Sequence, residues 1–544
     1  MNVLRPLALL FILMCVPTAA RRADEDPYVR LAKAIEAFGA VFRDVQVRYV
    51  DPVDPVELVE VGIDAMLEHL DPYSEFFVGS ETDEVDMLST GTYTGVGIVV
   101  DEIDSALIIT DLRNEGSAKE AAIRIGDRIV RVDSVWADSL DQDGLRTFTR
   151  GTAGTKLSMW LVRDGKADTM KVTLERRSLT LESVYTADRL PNSIGYVKLS
   201  RFTGTTRDEL FRAISQLQGT VPLKGLIIDL RDNPGGLLEA AIEVTELFVP
   251  QGSTIVSTRG RSDDESRTYA SMRPPTFPTL PLAVLVNQNS ASASEVVSGA
   301  LQDLDRAVII GKRSYGKGFV QSMIPVADGN SALKLTTARY YTPSGRCIQR
   351  VDARNSTSDS KTAFQTMAGR AVSARHGIDP DTVVSDSTLP RLLYNLQESG
   401  AIGSFATRHA AKFNAPPQAF ATGKGTLDEF YRYLESLPAK KRDPLFSALG
   451  NLRKSLAEVE GSPQLRSALQ ALQTQVEKDY YVQLHQHDKK LRDLITNEVD
   501  LRFSTGSAQY RRNLLDIPSV RTALDVLLSP KYGAFLAPKL PSDQ

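Results

Sequence analysis

Three short apolar runs limit what this chain can fold into: residues 225–230 (GLIIDL), 281–286 (PLAVLV) and 307–310 (AVII). A strand apolar at successive positions cannot leave one face to water, so 225–230 predicts a strand covered on both faces. The other two runs predict buried strands beside it. Helical patterns follow the first two. After Gly235-Gly236 comes LLEAAIEVTELF, and after a cluster of small residues come Val296, Val297, Ala300, Leu301 and Leu304 at helical spacing. Strands alternating with helices predict an α/β core.

Residues 287–321 carry the candidate chemistry, and two kinds are open there. Residues 311–317 fit the first seven positions of the phosphate-loop pattern G-x-x-x-x-G-K-[ST], and Asp229 ends a strand as a Mg²⁺-binding carboxylate would. Against this, Gly318 stands where Ser or Thr should hold the ion. The following FVQSMIPV reads as a strand, whereas a phosphate loop opens a helix whose N–H groups hold the anion. The alternative is a serine nucleophile with a lysine base. A serine hydroxyl needs a base, and a lysine serves only if burial or nearby positive charge brings its pKa down from about 10.4. Lys317 lies between two glycines beside apolar strands. None of the five histidines (His69, His376, His409, His485, His487) falls in the segment.

The stretch SASASEVVSGALQDLDRAVIIGKRSYGKGFVQ resembles the active-site signature of the C-terminal processing peptidases, also called carboxyl-terminal or tail-specific proteases. The resemblance implies Ser292 as nucleophile, Lys317 of the Gly-Lys-Gly turn as general base, and Gln321 as the residue that orients the lysine. Ser290 and Ser294 are then bystanders; a plain helix start would instead put Ser294 at the N-cap. The strand–Gly-Gly–helix junction at RDNPGG offers backbone N–H groups at a helix start, suited to an oxyanion. The resemblance implies that the oxyanion hole joins Gly235 or Gly236 to the N–H of Ala293. It also covers YTPSGRCIQ, with Cys347 where serine is common, and Gly377-Ile378-Asp379-Pro380-Asp381.

The chain has room for three or four domains in its 544 residues. Residues 1–20 read as a signal peptide: Arg5, then LALLFILMCV, then Thr18-Ala19-Ala20 at the cleavage positions. Such a chain is exported, to the periplasm or cell envelope or beyond. Membrane association arises only if this segment stays uncleaved. Met14 is too bulky for a lipoprotein reading of Cys15, so Cys347 remains without a disulfide partner. A net charge of −4 gives no electrostatic case for nucleic acid.

Residues 27–80 predict a helical N-terminal segment, with Leu31, Ile35, Phe38, Val41 and Phe42 at helical spacing and Asp71-Pro72 as the stop. In the resembled family such a segment is associated with dimerisation. Residues 90–178 predict a β-rich domain, whose AAIRIGDRIVRVD and RGTAGTKLSMWLVR resemble PDZ signatures. A PDZ domain adds a peptide C-terminus as a strand to a sheet edge. Gly95, Val96, Gly97 and Ile98 are the loop expected to capture the terminal carboxylate. Arg150 is either a link from that domain to the catalytic site or a solvated side chain.

The protease core is expected over residues 180–385. TRDELFRAISQL forms a helix opened by Thr206-x-x-Glu209, residues 259–278 a loop near the cleft, and residues 352–366 a Ser/Thr/Asp-rich loop. Residues 390–544 predict amphipathic helices with three apolar stripes: Leu427, Phe430, Tyr431 and Leu434; Leu465, Leu469, Leu472 and Val476; and Val520, Leu524 and Leu527. The expected whole is a multidomain α/β protein. The resemblance implies a ββα superhelix core, of the type seen in crotonases and ClpP, with an inserted PDZ-like domain and helical extensions at both ends. It implies an exported endopeptidase acting on polypeptides held by their C-termini, with no metal, nucleotide or other cofactor. A homo-oligomer or an adaptor protein are further partners it allows. The rival from another class is an inactive PDZ-type peptide-binding scaffold.

Overall fold

The computed structural model describes residues 26–78, 83–103, 105–166, 168–219, 221–326, 331–350, 364–373, 376–386, 389–413, 424–458, 462–503, 510–511 and 513–537. The expected signal peptide and most of the 352–366 loop lie outside the described residues. The chain divides into two compact units, with the boundary between Phe76 and Phe77.

The first unit is a pair of helices, Pro27–Arg48 and Pro55–Leu70. Each starts with a proline behind an aspartate cap. Asp26 accepts the Tyr28 N–H at 2.9 Å, and Asp54 the Val56 N–H at 2.7 Å. Asp71 ends the second helix and accepts the N–H groups of Tyr73 and Ser74 at 2.8 and 2.9 Å. Leu31, Ile35, Phe38 and Val41, the residues whose spacing predicts the helix, stand exposed on it. A short strand, Glu75–Val78, replaces helix at the end of the segment.

The second unit holds the remaining described residues. Its small antiparallel sheet orders the strands Ile98–Ile103, Ala106–Leu112, Arg128–Val132, Lys156–Val162 and Met170–Glu175, so Ile98–Ile103 is an edge. Helix Gln142–Thr149, capped by Asp141, lies against it. A buried Arg163–Asp127 pair at 2.6 Å closes the base of this domain.

The central sheet has six strands in chain order: β1 (Val184–Leu190), β2 (Ile194–Leu199), β3 (Gly225–Asp229), β4 (Leu282–Val286), β5 (Val308–Gly311) and β6 (Thr382–Val383). β1 runs antiparallel to β2, and the others are parallel. Helices α1 (Thr206–Gln218), α2 (Leu238–Glu246) and α3 (Ala293–Asp303) occupy the successive crossovers from β2 to β5. The buried strands sort their side chains with period 2. Leu226 and Ile228 of β3 and Val284 of β4 pack in the cluster containing α2 and α3, while Ile227, Ala283 and Leu285 pack on the opposite face. That second face is covered by Leu514 and by α4 (Pro518–Leu528), whose Val520, Leu524 and Leu527 are buried as expected. Residues 514–528 are therefore packed into the core of the central sheet.

Three expectations change in detail. Thr206-x-x-Glu209 is not a capping pair: the Thr206 hydroxyl accepts the Thr203 N–H at 2.7 Å, and Glu209 accepts the N–H groups of Ser183 and Val184 at 2.8 and 3.0 Å. The helix end is thereby stitched to β1. Residues 259–278 are not all loop, because Thr254–Gly260 pairs antiparallel with Arg267–Ala270. This hairpin belongs to a second sheet with Phe319–Pro325 and Ser331–Tyr341. Among the helices after residue 390, Leu427, Phe430, Tyr431 and Leu434 are buried. In the stripe of helix Pro463–His485, Leu469 is buried but Leu465 and Leu472 are exposed.

Candidate active site

Ser292 stands at the turn between β4 and α3 with φ 54° and ψ −115°. This is a left-handed conformation that a side chain adopts at a cost of about 1–3 kcal/mol, met where the surrounding contacts over-determine it. The turn is over-determined here. Ser290 is fully buried and donates to the Leu230 carbonyl at 2.7 Å; Ser294, also fully buried, donates to the Asn233 carbonyl at 3.0 Å. Neither bystander hydroxyl faces the cleft. Ser292, half-buried, is the N-cap residue, so the helix starts two residues before the Ser294 alternative.

Glu295, fully buried, binds this turn to the Lys317 loop. Its Oε1 accepts the Ser314 hydroxyl at 2.5 Å and the Gly316 N–H at 2.7 Å. Its Oε2 accepts the N–H groups of Lys317 at 2.8 Å and of Ser292 at 2.9 Å. Burial pushes the Glu295 carboxyl above its ordinary pKa, and these four donors offset part of that. The clamp also removes the phosphate-loop alternative. The Gly316 and Lys317 N–H groups that would cradle a phosphate are taken by a carboxylate, and the loop leads into a strand. Sequence reading passed over Glu295, although Ser-Ala-Ser-Glu has the spacing of a capping box.

Lys317 Nζ donates to Gln321 Oε1 at 3.0 Å. The lysine loop is fixed from its far side as well: the Gly318 N–H donates to Gln349 Oε1 at 2.9 Å, and a Cβ on Gly318 would lie 2.4 Å from the Gln349 nitrogen. Only glycine lets the chain pass there.

Residues 231–236 form the other wall. The Gly235 N–H is spent on Asn233 Oδ1 at 2.9 Å, and Gly235 is buried. Gly236 is exposed in the cleft, and its N–H and that of Ala293 meet no acceptor among the described residues. A Cβ on Gly235 would fall 2.9 Å from Ser292 Cβ and 3.0 Å from the Ala293 nitrogen, so the loop presses against the Ser292 turn. The expectation had left Gly235 and Gly236 open; the geometry leaves Gly236 as the donor facing the cleft.

Ser292, Gly236, Lys317 and Gln321 line one cleft of 620 Å³. Leu237, Tyr269, Val320 and Tyr340 add apolar wall, and Asp264, Glu265 and Arg267 of the hairpin bring charge to it. The arrangement puts a hydroxyl, an amine and backbone donors around one space, the components of acyl transfer. Gly95, Val96, Gly97 and Ile98 are not among its lining residues; they sit in the small sheet domain. There the Val96 carbonyl accepts from Ala118 at 3.1 Å, the Gly97 carbonyl from Arg113 at 2.9 Å, and Gly95 bridges Arg150. Arg150 is half-buried: its guanidinium lies 5.9 Å from the centre of the Tyr93 ring, and Nη2 lies 3.7 Å from the Met87 sulfur. No cluster of metal-ligating side chains occurs among the described residues.

Comparison with known proteins gives two family matches, Peptidase family S41 over residues 193–355 and "Probable PDZ-protease, C-terminal helical domain" over residues 392–527. The chain is 37% identical over 329 residues to a carboxy-terminal-processing protease of Bartonella bacilliformis, covering 60% of this chain and 74% of the relative. It is 34% identical over 309 residues to a carboxyl-terminal-processing protease of Synechocystis sp., covering 55% and 70%. Among solved structures, the photosystem II D1 C-terminal processing protease matches at 26% identity, 66% of this chain, 94% of that chain and a TM-score of 0.36.

Proposed function

Because this chain belongs to the carboxy-terminal-processing proteases of peptidase family S41, we propose that Ser292 and Lys317 form its catalytic dyad. Neutral Lys317 takes the proton of Ser292 as the serine oxygen bonds to a peptide carbonyl carbon. The Gly236 and Ala293 N–H groups receive the developing oxyanion. Protonated Lys317 then gives its proton to the leaving amine as the C–N bond breaks. Water attacks the acyl-enzyme with Lys317 again as base, and the Ser292 oxygen leaves with the proton. Gln321 holds the lysine amine by its 3.0 Å hydrogen bond. The chemistry calls on no metal or nucleotide.

The single observation that carries this reading is the convergence of Ser292, Lys317, Gln321 and Gly236 on one cleft. We read the core as a ββα superhelix with a PDZ-like domain inserted at residues 90–178. In that domain Ile98–Ile103 is a sheet edge and helix Gln142–Thr149 lies beside it, the geometry of strand addition. Gly95 to Ile98 would hold the terminal carboxylate. The substrates are then polypeptides bound by their C-termini, and the N-terminal segment directs the enzyme out of the cytoplasm.

The test is cleavage of an unfolded polypeptide with a free apolar C-terminus, without added metal or nucleotide. Wild type, Ser292→Ala and Lys317→Ala are compared. Cleavage by wild type alone supports the dyad; equal cleavage by all three rejects it. Binding without cleavage, and no Ser292-dependent labelling by a serine-reactive probe, would favour the scaffold alternative.

A further inference from the structure

The loop that presents Gly236 begins at Arg231, and Arg231 is held by the end of the chain. Its side chain is buried, and its donors are shared among four residues. Nε donates to Asp229 Oδ1 at 2.9 Å, and Nη1 donates to Asp386 Oδ2 at 2.6 Å and Ser519 Oγ at 3.0 Å. Nη2 donates to Asp229 Oδ2 at 2.5 Å and to the Tyr510 hydroxyl at 2.7 Å. The Tyr510 hydroxyl in turn donates to Asp229 Oδ2 at 3.0 Å, where the Tyr196 hydroxyl also donates. Ser519, at the start of α4, gives both its N–H and its hydroxyl to Asp386 at 2.8 Å.

From Arg231 the constraint passes directly into the cleft. Lys198 Nζ donates to the Arg231 carbonyl at 2.7 Å. The next N–H, of Asp232, donates to Asn287 at 3.0 Å, and Asn233 reaches both Gly235 and the 291–294 turn. Asp232 is left-handed at φ 61°, held there by its N–H to Asn287 and by its carboxylate, which accepts from Asn287 and Asn289. A loop built this way has no slack between its first residue and its glycines.

We propose that Tyr510 and Ser519 are positioning residues for the oxyanion loop, so that the C-terminal segment completes the catalytic geometry rather than only covering the sheet. The proposal rests on the reading of Gly236 as an oxyanion donor. Tyr510→Phe keeps the ring, which packs edge-on to Tyr185 at 6.0 Å, and removes only the hydroxyl. In the full-length protein it should lower kcat about ten-fold with KM within two-fold, and the double variant with Ser519→Ala should lower kcat about a hundred-fold. Amide exchange at residues 232–237 should speed up in both. Leu527→Ala, on the same helix but away from Arg231, should lower Tm and leave kcat at 25 °C unchanged.

Unchanged kcat and unchanged exchange in the double variant would overturn the proposal. So would a fall in the kcat of Leu527→Ala as large as that of the double variant, because activity would then follow packing in general. Failure of the dyad itself shows separately, as wild-type activity that survives Ser292→Ala; the exchange of residues 232–237 then still decides whether the latch exists.

Discussion

The two loops that flank Ser292 are anchored in opposite ways. The Lys317 loop is tied by Glu295 to groups 19 to 22 residues away, all inside the signature segment. The 231–236 loop is tied through Arg231 to groups 155, 279 and 288 residues away. One side of the site is a mostly local construction; the other exists only when Tyr510 and α4 have returned to the sheet. The proposed mechanism needs both, so the geometry around Ser292 is a property of the whole second unit.

The largest effect should come from breaking the distant anchor. Arg231→Met leaves fully buried Asp229 with only Lys198, 3.9 Å away, as a neighbouring cation, which should cost about 3–5 kcal/mol in urea unfolding. A cost under about 1 kcal/mol would mean that the anchor is dispensable. Next comes the packing of α4 on the sheet, away from Arg231. Leu527→Ala removes packing against Gly225 of β3 and should cost about 2–4 kcal/mol, read as a lower Tm. The local anchor should yield about 2–3 kcal/mol on Glu295→Gln. The amide nitrogen turns one acceptor into a donor that faces two donors, and kcat should fall with stability.

How much of this was legible follows the same division. The apolar runs gave the strands because covered strands show in a local pattern. Ser292, Lys317 and Gln321 stood within one segment whose order resembles a known signature. Glu295 is equally local, but its capping-box spacing marks only a helix start and does not say that the carboxylate also holds the Lys317 loop. Tyr510, Ser519 and Asp386 carry no local signal: nothing in their neighbourhoods says that they meet Arg231. The α4 stripe predicted a buried face correctly, but periodicity does not name the surface that covers it. Periodicity misled in Pro463–His485, where Leu465 and Leu472 at helical spacing remain exposed, whereas in residues 27–70 it gave the helices correctly.

Acid should separate the anchors. Asp229 is buried, which alone would raise its pKa, yet Arg231 and Lys198 hold it well below the ordinary 3.8. Its stabilising contribution is present above 3.8 and lost only as pH falls through its depressed folded value. Glu295 has the opposite shift, above 4.5. Its titration therefore favours the fold at low pH and ceases to as pH rises through the folded value, while its protonation removes an acceptor from the clamp. Beyond the acid limb that protonation of the Lys317 base itself gives, kcat should fall a second time at a pH above 4.5 while unfolding free energy holds, and Glu295→Gln should abolish that second step. A second step that survives the substitution assigns it elsewhere. The smallest effect is expected at Leu472→Ser, on the exposed stripe, within about 0.5 kcal/mol of wild type; a larger cost would show that stripe to be covered in solution.

The central claim is that the folded chain activates one serine among three close neighbours. Intact-mass and peptide analysis after reaction with a fluorophosphonate tests it most directly. The account predicts a single adduct on Ser292, formed much more slowly in Lys317→Ala. An adduct on Ser290 or Ser294, or equal labelling without Lys317, would contradict it.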